Sequence, residues 1–187
     1  KRFSKAEALR IYKQLAESQR EQKLADLVAK TPANYHLITT ERQFELLLAE
    51  LANEPIISVD TETTGVDVYT DVIVGMSFSL PCADKHVYIP VAHDNVTQLS
   101  LDYVLNGLRP ILCDESIGKV LHNAIFDIAM FRRHKSDLKG VVWDTMIAMH
   151  LLNENENETT PSKPYALKNL APKYLGVESD TFAELFG

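Results

Sequence analysis

The sequence predicts an α/β domain with helices on both faces of a mixed sheet, preceded by an N-terminal helical segment. Three observations predict it. From Tyr35 onward, short β-branched runs take turns with segments of helical periodicity. The early strand-like runs arrive as neighbours, whereas the later ones are separated by helices, which calls for antiparallel and parallel pairs in one sheet. With 187 residues, 45% hydrophobic and 24% charged, the chain suits one core and is too short for two large ones.

Residues 4–30 read as one long or two short helices, with a candidate capping box Ser4-x-x-Glu7 and apolar positions Leu9, Tyr12, Leu15, Leu24, Leu27 and Val28. Thr31-Pro32-Ala33-Asn34 breaks the pattern, so residues 1–34 form a helical segment and linker and 35–187 the main domain. Tyr35 to Ile38 is a short strand. Thr40-x-x-Gln43 caps a helix with the stripe Phe44, Leu47, Leu48 and Leu51. Ile56 to Val59 is a strand. Val72 to Leu80 is another, with Val72, Val74, Met76, Phe78 and Leu80 on its apolar side. His86 to Val91 follows as a third.

Leu101 to Leu112 reads as helix ending near Pro110. Lys119 to His122 is a strand, Ala124 to His134 a helix, and Val141 to Trp143 the last strand. Asp144 caps a helix from Thr145 to Leu152. The run Asn153 to Glu158 is a solvated loop by composition. Helix resumes from Tyr165 to Tyr174, shortened by Pro172.

Composition removes several function classes. No apolar run approaches the roughly 18 residues of a membrane span, and no signal-peptide pattern opens the chain. Cys82 and Cys113 sit in no Cys/His cluster, which argues against zinc or a disulfide framework and predicts a cytoplasmic setting. A net charge of −7 means that nucleic acid would have to be held locally, through metal ions and a few side chains, or with a partner domain. Lys1 in place of Met, and a featureless end at Gly187, read as cuts from a longer chain.

Two segments carry candidate chemistry. In Asp60-Thr61-Glu62 the acids stand two apart at a strand exit, so they share one side of the extended chain. Crowded carboxylates repel and lose hydration unless a cation sits between them, and hard divalent ions with oxygen ligands meet that need. In His122-Asn123-Ala124-Ile125-Phe126-Asp127 a strand gives way to a helix with Asp127 in its first turn. Taken alone, Asn123 capping the helix and Asp127 facing its positive end would account for that segment. Together, Asp60, Glu62 and Asp127 can meet at the strand ends of one sheet, where α/β folds place their sites.

Asp60-Thr61-Glu62-Thr63 and Asn123-x-x-x-Asp127 resemble the first and second motifs of the DEDD-type 3′→5′ exonucleases. Gly75 to Ser79, Tyr88 to Asp94 and Trp143 to Met146 are similar to the proofreading domain of bacterial family A DNA polymerase I, and the likeness runs from Tyr35 to Phe186. The resemblance implies a ribonuclease-H-like fold and two-metal hydrolysis, by Mg²⁺ or Mn²⁺, of the 3′-terminal phosphodiester of single-stranded DNA. In that scheme Asp60 bridges both ions, Glu62 holds the one that activates water, and Asp127 anchors the other. It also implies contacts to the terminal nucleotides from Thr63, Val66, His122, Asn123, Phe126, Met146 and Phe182. For Val66, Phe126 and Met146 a place in the core is the competing reading, and for His122 an internal hydrogen bond. The partner so implied is a polymerase domain in the same parent chain, with no membrane.

The pattern departs from the family in one respect. A third motif, Tyr-x-x-x-Asp or His-x-x-x-Asp, does not occur after Asp127: Tyr165 is followed at that spacing by Asn169, and Tyr174 by Glu178. The motif is expected past Gly187, and the fragment is expected to bind metal weakly and cleave little. Two alternatives remain: a ribonuclease D-like RNA 3′ exonuclease, and a non-catalytic platform packing against a polymerase domain.

Overall fold

The computed structural model describes residues 5–94, 96–153 and 165–177. Ser4 of the candidate capping box, Phe182, and residues 154–158 of the acidic run lie outside them. Helix α1 (Lys5–Lys30) is one unbroken helix, and Leu9, Tyr12, Leu15 and Val28 along it are all exposed. The six strands are β1 (Tyr35–Leu37), β2 (Ile56–Thr63), β3 (Ile73–Leu80), β4 (Lys85–Pro90), β5 (Gly118–Leu121) and β6 (Val141–Asp144). They lie in the order β1-β4-β3-β2-β5-β6. β2, β3 and β4 pair antiparallel, while β5 and β6 add to β2 in parallel and β1 adds to β4 in parallel. The sheet is therefore mixed, as expected.

Helices α2 (Glu41–Leu51), α3 (Leu101–Cys113) and α4 (Ala124–Arg133) cover one face. There Phe44, Leu47 and Leu51, Val104, Leu108 and Leu112, and Met130 and Phe131 pack on Ile57, Val59, Met76, Phe78 and Ile89. The Thr40 capping box on α2 forms in full. The opposite face is polar, carrying Ser58, Asp60, Ser77 and Ser79; Val28 at the end of α1 and Leu167 at the start of α6 (Leu167–Leu175) overhang it. Helix α5 (Thr145–Leu152) follows β6 directly.

Three expectations need correction. α3 runs through Pro110 to Cys113, because the apolar contacts of buried Ile111 and Leu112 hold its last turn despite the missing N–H. α6 likewise passes Pro172 and ends at Leu175, where Gly176 adopts φ 64° and donates to the carbonyls of Ala171 and Pro172. It starts only at Leu167, since Ala166 is extended and the Tyr165 hydroxyl is occupied by the Asn153 carbonyl at 2.6 Å. In β3 the inward residue is Ile73, not Val72 or Val74. Glu62 pairs with Gly75 but Thr63 with Ile73, so Val74 is the extra residue of a bulge, which reverses the facing of the residues before it.

Candidate active site

Ile57, Val59 and Thr61 point into the core, so the period of two sends Ser58, Asp60 and Glu62 to the polar face. The pairing of β2 with β5 extends only to Ser58, and beyond that point the chain of β5 turns into α4. This brings Asp127, in the first turn of α4, beside the exit of β2. Asp127 is only 2% exposed, and its Oδ1 accepts the Thr61 N–H at 3.0 Å and the Thr61 hydroxyl at 2.6 Å.

Asn123 occupies the turn between β5 and α4 with φ 67° and ψ 49°, a left-handed conformation that asparagine tolerates better than most residues. Contrary to the capping reading, its side chain makes no cap hydrogen bond. The carboxylate of Asp144 does that work instead. It accepts the N–H groups of Asn123 at 3.1 Å and Ala124 at 2.8 Å, and those of Met146 at 2.8 Å and Ile147 at 3.3 Å. One acid thus caps two helices, as expected for α5 and unforeseen for α4. Burial works against its charge, yet the four backbone donors hold its pKa below the usual carboxylate value.

Asp60, His122, Asn123, Phe126, Asp127 and Met146 line one open cleft of about 530 Å³. Tyr165, Ala166 and Leu167 close its far wall; reading the sequence did not find them, because nothing local marks a helix start that folds back over a site. His122 Nδ1 lies 2.8 Å from the Thr145 hydroxyl, which donates its own proton to the Leu121 carbonyl at 3.2 Å. Its Nε2 is buried and has no hydrogen-bond partner among the described residues. Phe126 lines the cleft and also packs, partly buried, against the core.

Glu62, Thr63 and Val66 are not among the residues that line the cleft. Glu62 is exposed beyond Asp60 on the same strand. Thr63 donates its hydroxyl to the Gly65 carbonyl at 2.6 Å and so shapes the turn that follows. Val66, 87% exposed, belongs to that turn and not to the core. Arg133 of α4 ties the turn down by donating to the Asp71 carbonyl.

Asp60 keeps contact with solvent, but the cleft walls strip water from it. That burial, then the charges of Asp127 and Glu62, push its pKa up to about 7. Asp127 is also raised, because its burial outweighs the two bonds from Thr61. A carboxylate whose ionisation is opposed by two neighbouring acids, with oxygen donors to offer, suits a hard divalent cation. Among the described residues no three His, Cys, Asp or Glu side chains already stand together as a finished ligand set. The observed pair is Asp60 and Asp127, with Glu62 close enough to be felt.

The family model described as 3′-5′ exonuclease matches residues 35–183. The chain belongs to this 3′-5′ exonuclease family. Members of the family work with divalent metal ions. Among its relatives, the DNA polymerase I of Pseudomonas aeruginosa is 30% identical over 168 residues, covering 85% of this chain and 18% of that protein. The DNA polymerase I of Synechocystis sp. is 37% identical over 160 residues, covering 80% of this chain and 16% of that protein. The chain thus spans less than a fifth of these relatives. In fold it is similar to Escherichia coli RNase D, an exoribonuclease, with TM-score 0.57 and 22% identity over 79% of this chain and 35% of that one. It is also similar to the POL domain of Pol1 from M. smegmatis, with TM-score 0.58 and 20% identity over 76% and 23% of the two chains. The 3′-5′ exonuclease domain shares the ribonuclease-H-like sheet with both.

Proposed function

We propose that this 3′-5′ exonuclease domain removes the terminal nucleotide from a single-stranded DNA 3′ end as the proofreading part of a DNA polymerase I. One observation carries the reading. Asp60 and Asp127, 67 positions apart in the sequence, face a single cleft, and Asp60 is pushed up to about 7 partly by Asp127 and Glu62.

Asp60, Asp127 and Glu62 would hold two ions, Mg²⁺ or Mn²⁺. When bound, such ions supply an activated water and neutralise charge on the leaving 3′ oxygen. The chain's own residues do the rest. Thr61 fixes Asp127 through one of its oxygens and leaves the other for the cleft. Phe126 and Met146 offer an apolar wall to an unpaired base, where stacking is worth roughly 1–3 kcal/mol and ignores sequence. Asn123, uncommitted to the helix cap, offers both a donor and an acceptor, and His122 lines the cleft beside it. Thr63 and Val66 flank the strand's exit on the turn after Glu62, and Phe182 is proposed as a further nucleotide contact.

No Tyr-x-x-x-Asp or His-x-x-x-Asp follows Asp127 in the sequence, and among the described residues no fourth acid joins Asp60, Glu62 and Asp127, so slow cleavage is expected of this chain alone. The test is release of the 3′ nucleotide from 3′-labelled single-stranded DNA and RNA with Mn²⁺, by this chain and by one continued past Gly187. The continued chain should be far faster, should prefer DNA, and should lose activity with Asp60→Ala or Asp127→Ala. Preference for RNA would support the ribonuclease D-like reading. Equal activity with and without Asp60 would overturn the proposal.

A further inference from the structure

Beyond the cleft, Tyr88 of β4, tied to His93 in the loop that follows, reaches across β3 towards Glu62. Gly75 lies opposite Glu62 on β2 and opposite Pro90 on β4. A Cβ added at Gly75 would come within 1.9 Å of the Tyr88 hydroxyl oxygen. The phenol of Tyr88 therefore leans along the sheet, and its hydroxyl fills the space beside Glu62 that any larger residue at position 75 would take. Tyr88 shares this face with Asp60, since both are paired with Ser77.

The hydroxyl is held from its other side. Tyr88 Oη is 2.7 Å from His93 Nε2, and the two rings are tilted at 52° with centroids 5.9 Å apart. His93 is itself fixed by Gln98, whose side chain accepts the His93 N–H at 2.9 Å and donates to the His93 carbonyl at 2.7 Å. A tie that served only to fasten the loop after β4 would not need to end beside an acid. Burial, then the charge of Glu62, push the Tyr88 phenol up to about 12, so the group stays protonated and Glu62 is electrically close to it. When His93 Nε2 carries the proton and donates to Tyr88, the phenol's single proton is free to point at Glu62.

We propose that Tyr88, oriented by His93, is a positioning residue that donates a hydrogen bond to the Glu62 carboxylate and aims it for cation binding. The inference rests on the reading that Asp60, Glu62 and Asp127 form the metal site. A carboxylate on an exposed strand end rotates freely, and a ligand held by an outer donor binds its metal more tightly.

The test is Mn²⁺ binding by this chain, followed by loss of the free-ion electron paramagnetic resonance signal. Tyr88→Phe keeps the ring over Gly75 and removes only the hydroxyl. It should weaken Mn²⁺ binding on the order of 10-fold. His93→Leu should weaken it similarly, and His93→Gln, which retains a donor at that position, should restore it. In a Glu62→Gln background Tyr88→Phe should add nothing, since the hydroxyl acts through that carboxylate. Wild-type affinity in Tyr88→Phe, or an equal loss with and without Glu62, would overturn the inference. Asp60→Ala separates the two levels. If it binds Mn²⁺ as wild type does, the metal-site reading fails and this inference falls with it; if it loses binding while Tyr88→Phe does not, only the inference fails.

Discussion

Asp127 is bonded to Thr61, not to the acids on either side of it: one carboxylate oxygen takes both the backbone and the hydroxyl proton of that threonine. The residue between Asp60 and Glu62 is therefore no spacer. Strand periodicity turns it to the core side, where it meets the helix that follows β5 and fixes the third acid against the first.

Thr61→Val should uncouple this arrangement. The shape is kept, but a 2%-exposed carboxylate loses a donor, which costs about 1–3 kcal/mol. Urea denaturation should show that loss, and Thr61→Ser should recover most of it. A valine variant within 0.5 kcal/mol of wild type, roughly the scatter of neutral surface changes, would mean the hydroxyl contributes nothing.

Stability of the metal-free domain should fall as pH rises through the Asp60 titration. The folded group titrates at about 7 and the unfolded one near 3.8. Between those values the folded state binds more protons, so acid favours folding. The full benefit is present below the lower value and is gone above the upper one. Because Asp60 remains in contact with solvent, the effect is screened to about 1–2 kcal/mol. Melting curves from pH 5 to 8 should show the decline, and Asp60→Asn should flatten it. Millimolar Mn²⁺ at pH 8 should restore the lost stability, since a cation replaces the proton.

Removing the Asp144 carboxylate should be among the more damaging single changes outside the core. Its four backbone bonds serve the first turns of α4 and α5 at once. An ordinary cap contributes about 1 kcal/mol and the strongest about 2, so Asp144→Ala should cost about 2–4 kcal/mol. Hydrogen exchange should rise at the amides of Ala124 and Met146 together. A rise confined to α5 would show that the α4 contact carries no energy.

The sheet was legible because its strands obey local rules: Ile57, Val59, Met76, Phe78 and Ile89 alternate as a half-buried strand must. The three departures arose where tertiary contacts outweighed a local signal. Pro110 and Pro172 read as helix ends, and neither is. Val74 reads as inward and is the bulge residue, a fact set by β2 and invisible in β3 alone. At the site, Asp60, Asp127 and the nucleotide-facing candidates His122, Asn123, Phe126 and Met146 could be picked out because their motifs are short and contiguous. The Tyr88–His93 pair could not, because its meaning depends on an empty position across the sheet at Gly75.

Asn123 allows the fold and the cleft to be tested separately. Its positive φ costs an ordinary residue about 1 kcal/mol, whereas glycine adopts it freely. Its side chain lines the cleft and gives nothing to the helix cap. Asn123→Ala should therefore lose about 1 kcal/mol of stability, and Asn123→Gly should lose much less. Both remove the same amide from the cleft, so both should weaken binding of a fluorescent single-stranded oligonucleotide to the same degree. If binding instead tracks stability, with glycine behaving as wild type, Asn123 shapes the turn and makes no contact with the strand.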